Sequence, residues 1–344
     1  MSYVTLKDIA KVAKVSYSTV SRALSGSKEI SEATRQRVLN ICREMGYTTD
    51  FVARSMVTGT TNTIGLILTS VNNPFMSELA NYVEQYTRAA GYNIILCSSA
   101  HELEQEQQVF QLLMGRRADG IIIVPASQGS YASLETFIKK VPTVFISGNS
   151  RDMPVSYVSV DNHQGIVMGM EYLISLGHRD ILYFGRRPGS LTHSVRVEGY
   201  LASCGKHGLN AQFKDNTNNF TSIHNGYELA KELFSHRPLP FTAIFASSDT
   251  NALGIIKAAD EDGIRVPEDI SILGFDNISY ADLPKIELST IEQPKEMMAA
   301  RAVEELVGRI RGKKGEPLQL ILPPKLIKRK SCVKAVQETA SLQS

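Results

Sequence analysis

At 344 residues, 43% hydrophobic and 21% charged, the chain is too long for one ordinary core and too apolar to be disordered, so two or three folded domains are expected. Its net charge is only +2, but residues 1–60 hold nine Lys/Arg against five Asp/Glu while the remainder holds 28 against 30. The four cysteines (Cys42, Cys97, Cys204, Cys332) lie far apart with no C-x-x-C pair, which argues against a disulfide framework or a zinc site.

A basic head on a near-neutral body suggests that the head meets a polyanion, with a solvated basic face as the alternative. Thr5 and Asp8 have the spacing of a capping box, and behind them Leu6, Ile9, Ala10 and Ala13 share one helical face. Val15 interrupts, and Ser16 can cap a second helix whose apolar stripe is Val20, Ala23 and Leu24. The rest of that helix (Tyr17, Ser18, Ser21, Arg22) is polar. Ser31 opens a third helix with Val38, Cys42 and Met45 on one face, ended by Gly46. Three helices with a very short first turn predict a helix-turn-helix unit. Its exposed second helix suits the major groove of double-stranded DNA, where Arg22 can reach guanine and Tyr17 and Ser18 stand nearest the base edges.

From Asp50 a segment of about seven residues, including Val52, Ala53, Arg54, Ser55 and Met56, reads as a short capped helix before the loop Thr58-Gly59. So short a helix is stable only when something holds it.

From Ile64 onward short apolar runs alternate with amphipathic segments. "TIGLIL", "NIILCSS", "GIIIVPA", "TVFISG" and "VSYVSVD" predict buried parallel strands, and "DILYFG", "FTAIFASS" and "ISILGFD" a second series after Asp161-Asn162. The expected fold class is therefore a small all-α helix-turn-helix head plus an α/β body of two doubly wound parallel-sheet lobes. Ligand crevices in such lobes open at the carboxyl ends of strands. Asn73, Phe75, Ser147, Asp249 and Asp276 stand there, and Arg196 lies in "HSVRVEGY". Aspartate pairs with vicinal hydroxyls, arginine bridges hydroxyl or phosphate oxygens, and an aromatic face covers an apolar ring surface. Asp249 could instead cap its own helix. Arg186-Arg187 after a strand is open to two readings, a solvated surface or an effector carrying phosphate or carboxylate.

Residues 4–26, "VTLKDIAKVAKVSYSTVSRALSG", resemble the DNA-binding head of the lac-repressor/galactose-repressor family of bacterial transcriptional regulators, and the likeness runs through most of the chain. The resemblance implies base contacts from Tyr17, Ser18 and Arg22 and phosphate contacts near Thr5, Ser16, Thr19 and Ser21. It implies a hinge helix that folds on DNA, placing Ala53 and Met56 at the duplex with Met56 at the minor-groove wedge position. Here methionine replaces the usual leucine, and Asp50 stands where many relatives have asparagine. The body would resemble periplasmic sugar-binding proteins, with Phe220 and Gln293 at further ligand positions and Ser147 where relatives often have aspartate. The implied boundaries are a head over 1–47, a hinge over 48–61 and an effector-binding, dimerising body over 62–344. Lobe one would be 62–161 with about 289–322, and lobe two 162–288 with about 323–340.

The expected function is sequence-specific regulation of transcription, most simply repression, by a homodimer on a pseudo-palindromic operator under control of a sugar-like small-molecule effector. No cofactor or metal is implied. Enzyme motifs such as G-x-G-x-x-G after a strand, G-x-x-x-x-G-K-[ST], G-x-S-x-G and H-E-x-x-H are absent, so catalysis is not expected. Polar Asp8 and Lys11 stand where a signal peptide needs an apolar run. No stretch reaches the ~18 apolar residues of a membrane span. Both point to a cytoplasmic protein with no membrane partner.

Overall fold

Side-chain hydroxyls start the three described helices of the N-terminal region. In this computed structural model, which describes residues 4–25, 27, 29–46, 60–147, 154–187, 189–216 and 222–335, the chain divides into two compact units, Met1–Thr61 and Asn62–Ser344. In the first unit the Thr5 hydroxyl accepts the Asp8 amide at 3.3 Å, and the Thr5 amide returns a bond to the Asp8 carboxylate at 2.9 Å. This reciprocal pair opens α1, Leu6–Ala13. The left-handed Lys14 (φ 52°) ends it, and Ser16 Oγ accepts the Thr19 amide at 3.1 Å to open α2, Tyr17–Ser25. Ser31 does the same for α3, Glu32–Glu44. Ile9, Ala13, Val20, Ala23, Val38 and Cys42 are buried together between the three helices. Arg37 adds a bond to the Ala13 carbonyl at 3.1 Å. So small a core leaves most of α2 uncovered.

The described residues of the second unit form two sheets. β1 (Thr63–Leu68), β2 (Asn93–Ser98), β3 (Gly120–Ile123), β4 (Thr143–Ile146) and β5 (Ser156–Val160) alternate with α4 (Pro74–Ala89), α5 (Leu103–Gly115) and α6 (Ser130–Ile138). After α7 (Asn162–Ser175) come β6 (Ile181–Arg186), α8 (Leu191–His207), β7 (Gln212–Asp215), α9 (Ile223–Phe234) and β8 (Ala243–Ala246). They are followed by α10 (Asp249–Glu261), β9 (Ser271–Asp276), β10 (Ser289–Glu292), α11 (Lys295–Ile310), β11 (Gln319–Leu322) and β12 (Lys325–Ile327). The first sheet runs β11-β5-β4-β3-β1-β2 and the second β12-β10-β9-β8-β6-β7, with β12 antiparallel to β10 and the other pairs parallel.

The chain crosses between lobes three times: at Asp161, between β10 and α11, and between β11 and β12. The return to lobe one comes later than the expected residue of about 289. Ser289–Glu292 pairs with β9 in the second sheet, and only α11 packs on β3, β4 and β5. "STIE" holds one strongly apolar residue, so no apolar run marks it as a strand. Its buried polar groups are held by distant partners instead: the Thr290 hydroxyl donates to Asp249, the Ser289 hydroxyl accepts the Arg329 amide, and the Ser289 amide donates to the Ser331 hydroxyl. β2 also departs from the expected buried pattern. It is an edge strand, covered on fewer sides, and Leu96 is exposed.

Glycine is required where α9 and α10 meet. A Cβ on Gly254 would lie 2.4 Å from the Tyr227 amide nitrogen and 2.5 Å from the Ile223 carbonyl, both backbone atoms that cannot swing aside.

Candidate functional site

Two places in the chain offer unusual polar surfaces, and they are built on opposite principles. In the first unit α2 presents Tyr17, Ser18, Ser21 and Arg22 to solvent, with Tyr17 53% exposed. The hydroxyls of Ser18 and Thr19 lie 2.7 and 2.8 Å from Ser16 Oγ, so the start of α2 is a tight hydroxyl cluster. Thr5 is engaged in its capping box. Arg22 lies 3.4 Å from Glu29 with both side chains largely exposed, a pair worth about 0–1 kcal/mol that a stronger acceptor would displace. Ala53 and Met56 lie outside the described residues.

In the second unit the carboxyl ends of both sheets face one cleft. Lobe one lines it with Thr69, Asn73, Phe75, Met76, His101, Val124, Pro125, Ala126 and Ser147, and lobe two with Arg187, Ser190, Thr192, His193, Arg196, Ser247, Ser248, Asp276 and Gln293. Arg196 is its centre. Only 4% exposed, it donates to Asn162 Oδ1 at 2.8 Å and to the Ser247 carbonyl at 2.5 Å, stacks 3.6 Å above the Phe275 ring, and stands 3.8 Å from Asp276. Gln293 donates to Asp276 at 2.6 Å, and Lys295 donates to the Asp276 and Asn277 carbonyls while lying 3.2 Å from Glu78 of lobe one. Burial pushes the Asp276 carboxyl above its ordinary range, and Arg196 opposes that rise. Burial likewise lowers Arg196.

Three polar atoms on the cleft wall lack a hydrogen-bond partner among the described residues: Thr69 Oγ1, His193 Nδ1 and Gln293 Oε1. Unmatched buried polar atoms cost roughly 1–3 kcal/mol each, so their gathering in one cavity marks a place for a polar ligand. His101, Ser147 and Asp276, all on this wall, have positive φ (63°, 61° and 127°), backbone strain of the kind that collects at ligand sites. The cavity measures about 100 Å³, room for roughly three waters. A larger groove of about 950 Å³ runs past Glu78, Tyr82, Tyr86 and Met297, but apart from Gln293 none of its lining residues carries an orphan atom.

Residues 5–50 match the family model for bacterial regulatory proteins of the lacI family, and residues 170–332 the model for a periplasmic binding protein-like domain. The HTH-type transcriptional repressor PurR of Pasteurella multocida is 33% identical over 95% of this chain and 98% of its own. The ribose operon repressor of Haemophilus influenzae is 34% identical over the same shares. The chain belongs to the lacI family. It is therefore a DNA-binding transcription regulator, and the relatives named here are regulators rather than enzymes. Among solved structures, a lac repressor dimer bound to operator and the anti-inducer ONPF superposes with a TM-score of 0.84 at 25% identity, covering 96% of this chain and all of the other. A LacI family regulator from Enterococcus faecium with bound ribose gives 0.70 at 25% identity, over 80% of this chain and all of the other. No described helix is long and apolar enough to cross a membrane.

Against this lacI-family frame, the cleft brings together Asn73, Phe75, Ser147, Arg196, Asp276 and Gln293 from the sequence reading. Asn73 also caps α4, accepting the Phe75 amide at 3.0 Å. Phe220 lies outside the described residues. Asp249 is corrected: it is fully buried behind β9, accepting bonds from Thr290 Oγ1 at 2.5 Å and the Ile278 amide at 2.9 Å, and it does not line the cleft. Gly274 leaves the space it fills, since a Cβ there would come within 2.1 Å of Asp249 Oδ1. Asp249 thus fixes the segments on either side of Asp276 and Gln293. The Arg186-Arg187 pair, open to two readings in the sequence, divides. The Arg186 guanidinium forms a two-toothed pair with Asp215 at 2.6 and 2.7 Å, whereas Arg187 turns into the cleft. His101 and His193 went unnoticed in sequence; His101 follows β2 just as Asn73 follows β1, and that position was its signal.

Proposed function

We propose that the protein represses transcription as a homodimer on a pseudo-palindromic operator, and that a sugar-like effector bound in the cleft sets its operator affinity. The observation that carries the effector half is the group of three orphan polar atoms around Arg196 and Asp276, a donor and acceptor set suited to vicinal hydroxyls. Phe75 supplies an apolar face for the ring. The ribose-bound regulator and the operator-bound dimer among the relatives support both halves.

A cavity of about 100 Å³ is smaller than the roughly 300 Å³ at which ligand pockets usually begin. Effector entry must therefore part the lobes. Gln128 of lobe one donates to Ser194 of lobe two at 3.2 Å, a contact that opening breaks. A ligand that favours one lobe arrangement by about 1–3 kcal/mol shifts the paired hinges and heads by the same amount. In the head, Arg22 reads a guanine, Tyr17 and Ser18 read neighbouring bases, and Thr5, Ser16, Thr19 and Ser21 hold phosphates. The hinge with Ala53 and the Met56 wedge bends the duplex. Such a reader meets DNA and metabolite together in the cytoplasm.

The test is a gel shift on operator fragments selected from random duplex, repeated with a panel of sugars and sugar derivatives. One ligand changing operator affinity at least fivefold, an effect removed by Arg196→Lys, supports the reading. Selection of no preferred sequence by the full chain overturns it.

A further inference from the structure

We propose that one end of the cleft is an anion subsite, built from Arg187, His193 and His101 beside the start of α8, which holds a phosphate, sulfate or carboxylate group of the effector. This rests on the effector reading above and adds the chemical class of ligand. Arg187 and Arg186 are adjacent, yet only Arg186 has a carboxylate, Asp215; burial lowers the Arg187 pKa, and among the described residues no acid is paired with its charge. His193, a cleft-lining residue in the first turn of α8, is 9% exposed, and its buried Nδ1 has no partner among the described residues. Ser190, the residue before that turn, makes no side-chain cap bond, and the turn holds no acidic residue. The amide end of a 17-residue helix is thus open to an anion. His101 approaches from lobe one, so an anion shared by the three side chains would tie the lobes together.

Among the described residues, the charges facing these groups are of one sign save one. Arg187 from the β6–α8 loop and Arg196 from α8 both disfavour protonation of His193, and Arg187 acts likewise on His101. The exception, Asp276 on β9, is already engaged by Arg196 and Gln293. Burial and these arginines hold His101 down to about 4 and His193 well below its ordinary value, so both are neutral at pH 7. An anion between them reverses that balance, and binding takes up a proton.

The test uses the full-length protein and inorganic sulfate, which stays a dianion across the range. Sulfate also stabilises proteins by exclusion from their surfaces, so the reading is the difference between wild type and Arg187→Gln at matched ionic strength. The expected result is a sulfate-induced rise in Tm that is larger in wild type and larger at pH 5.5 than at 7.5. His193→Gln should retain a rise but lose most of its pH dependence. Equal rises in wild type and Arg187→Gln, or a wild-type rise independent of pH, overturn the subsite. Titration with D-ribose and D-ribose 5-phosphate supplies a second arm. Tighter binding of the ester by about tenfold or more is expected, and equal affinity overturns the subsite while leaving a sugar effector standing. A sulfate response confined to wild type, with no sugar derivative altering operator affinity, instead sinks the sugar reading alone.

Discussion

The recognition helix of the head and the effector cleft of the body both gather polar side chains, but they hold them in opposite ways. On α2 the groups are exposed and loosely engaged: Arg22 leans on Glu29 across 3.4 Å of solvated surface. In the cleft Arg196 is buried, bonded to Asn162 and Ser247 and stacked on Phe275. A duplex brings its own charge and water, so its reader can stay open. A small ligand brings far less, so its site must be organised beforehand. Stability and function should accordingly be coupled in the cleft and separable on α2.

The largest expected departure is at Arg196. Its replacement by alanine leaves Asp276 buried without its cation and should cost about 3–5 kcal/mol in urea unfolding of the body. A loss below about 1 kcal/mol would break the contrast. Next comes acid. His101 is neutral in the fold, its pKa brought down to about 4 by burial, whereas in the unfolded chain it protonates near 6.5. Between those values the unfolded state binds the extra proton, so stability is full above pH 6.5 and declines toward pH 4. The decline is on the order of 2 kcal/mol from this residue, and His101→Gln should flatten it in pH-dependent unfolding. Gly254→Ala, by forcing α9 from α10, should lower stability by about 1–3 kcal/mol without changing which operator is chosen.

On α2 the same size of effect appears elsewhere. Arg22→Ala should remove roughly 1–3 kcal/mol of discrimination at one base pair in competition binding, while unfolding changes by less than about 0.5 kcal/mol. Smallest of all is Glu29→Ala. Freeing Arg22 from an exposed pair should tighten operator binding by no more than about 1 kcal/mol and steepen its salt dependence only slightly. If Glu29→Ala instead weakened binding, the pair would be organising Arg22 rather than competing for it.

How legible each region was follows from the range of the forces that shape it. The head could be read almost residue by residue, because a cap spans three positions and a stripe repeats within four: Thr5 with Asp8, Ser16 with Thr19 and Ser31 with Thr34 all close as spacing implies. Most strands of the body were legible for a similar reason, as continuous apolar runs. β10 was not, because its polar side chains, Thr290 and Ser289, are satisfied by Asp249 and the Arg329 amide, 41 and 40 residues away.

The sequence by itself determined the head, the two βα series and the strand ends at which a ligand must be met, since each depends on periodicity or capping within one turn or one strand. Only the tertiary structure decided which strand-end side chains reach the cleft. Asp215 on a neighbouring strand separates Arg186 from Arg187, and the space above Gly274 draws Asp249 away from the cavity. Partners that are distant in sequence exert their pull only once the sheet has assembled, and a hydrogen bond or a steric gap leaves no trace in the local pattern of either residue.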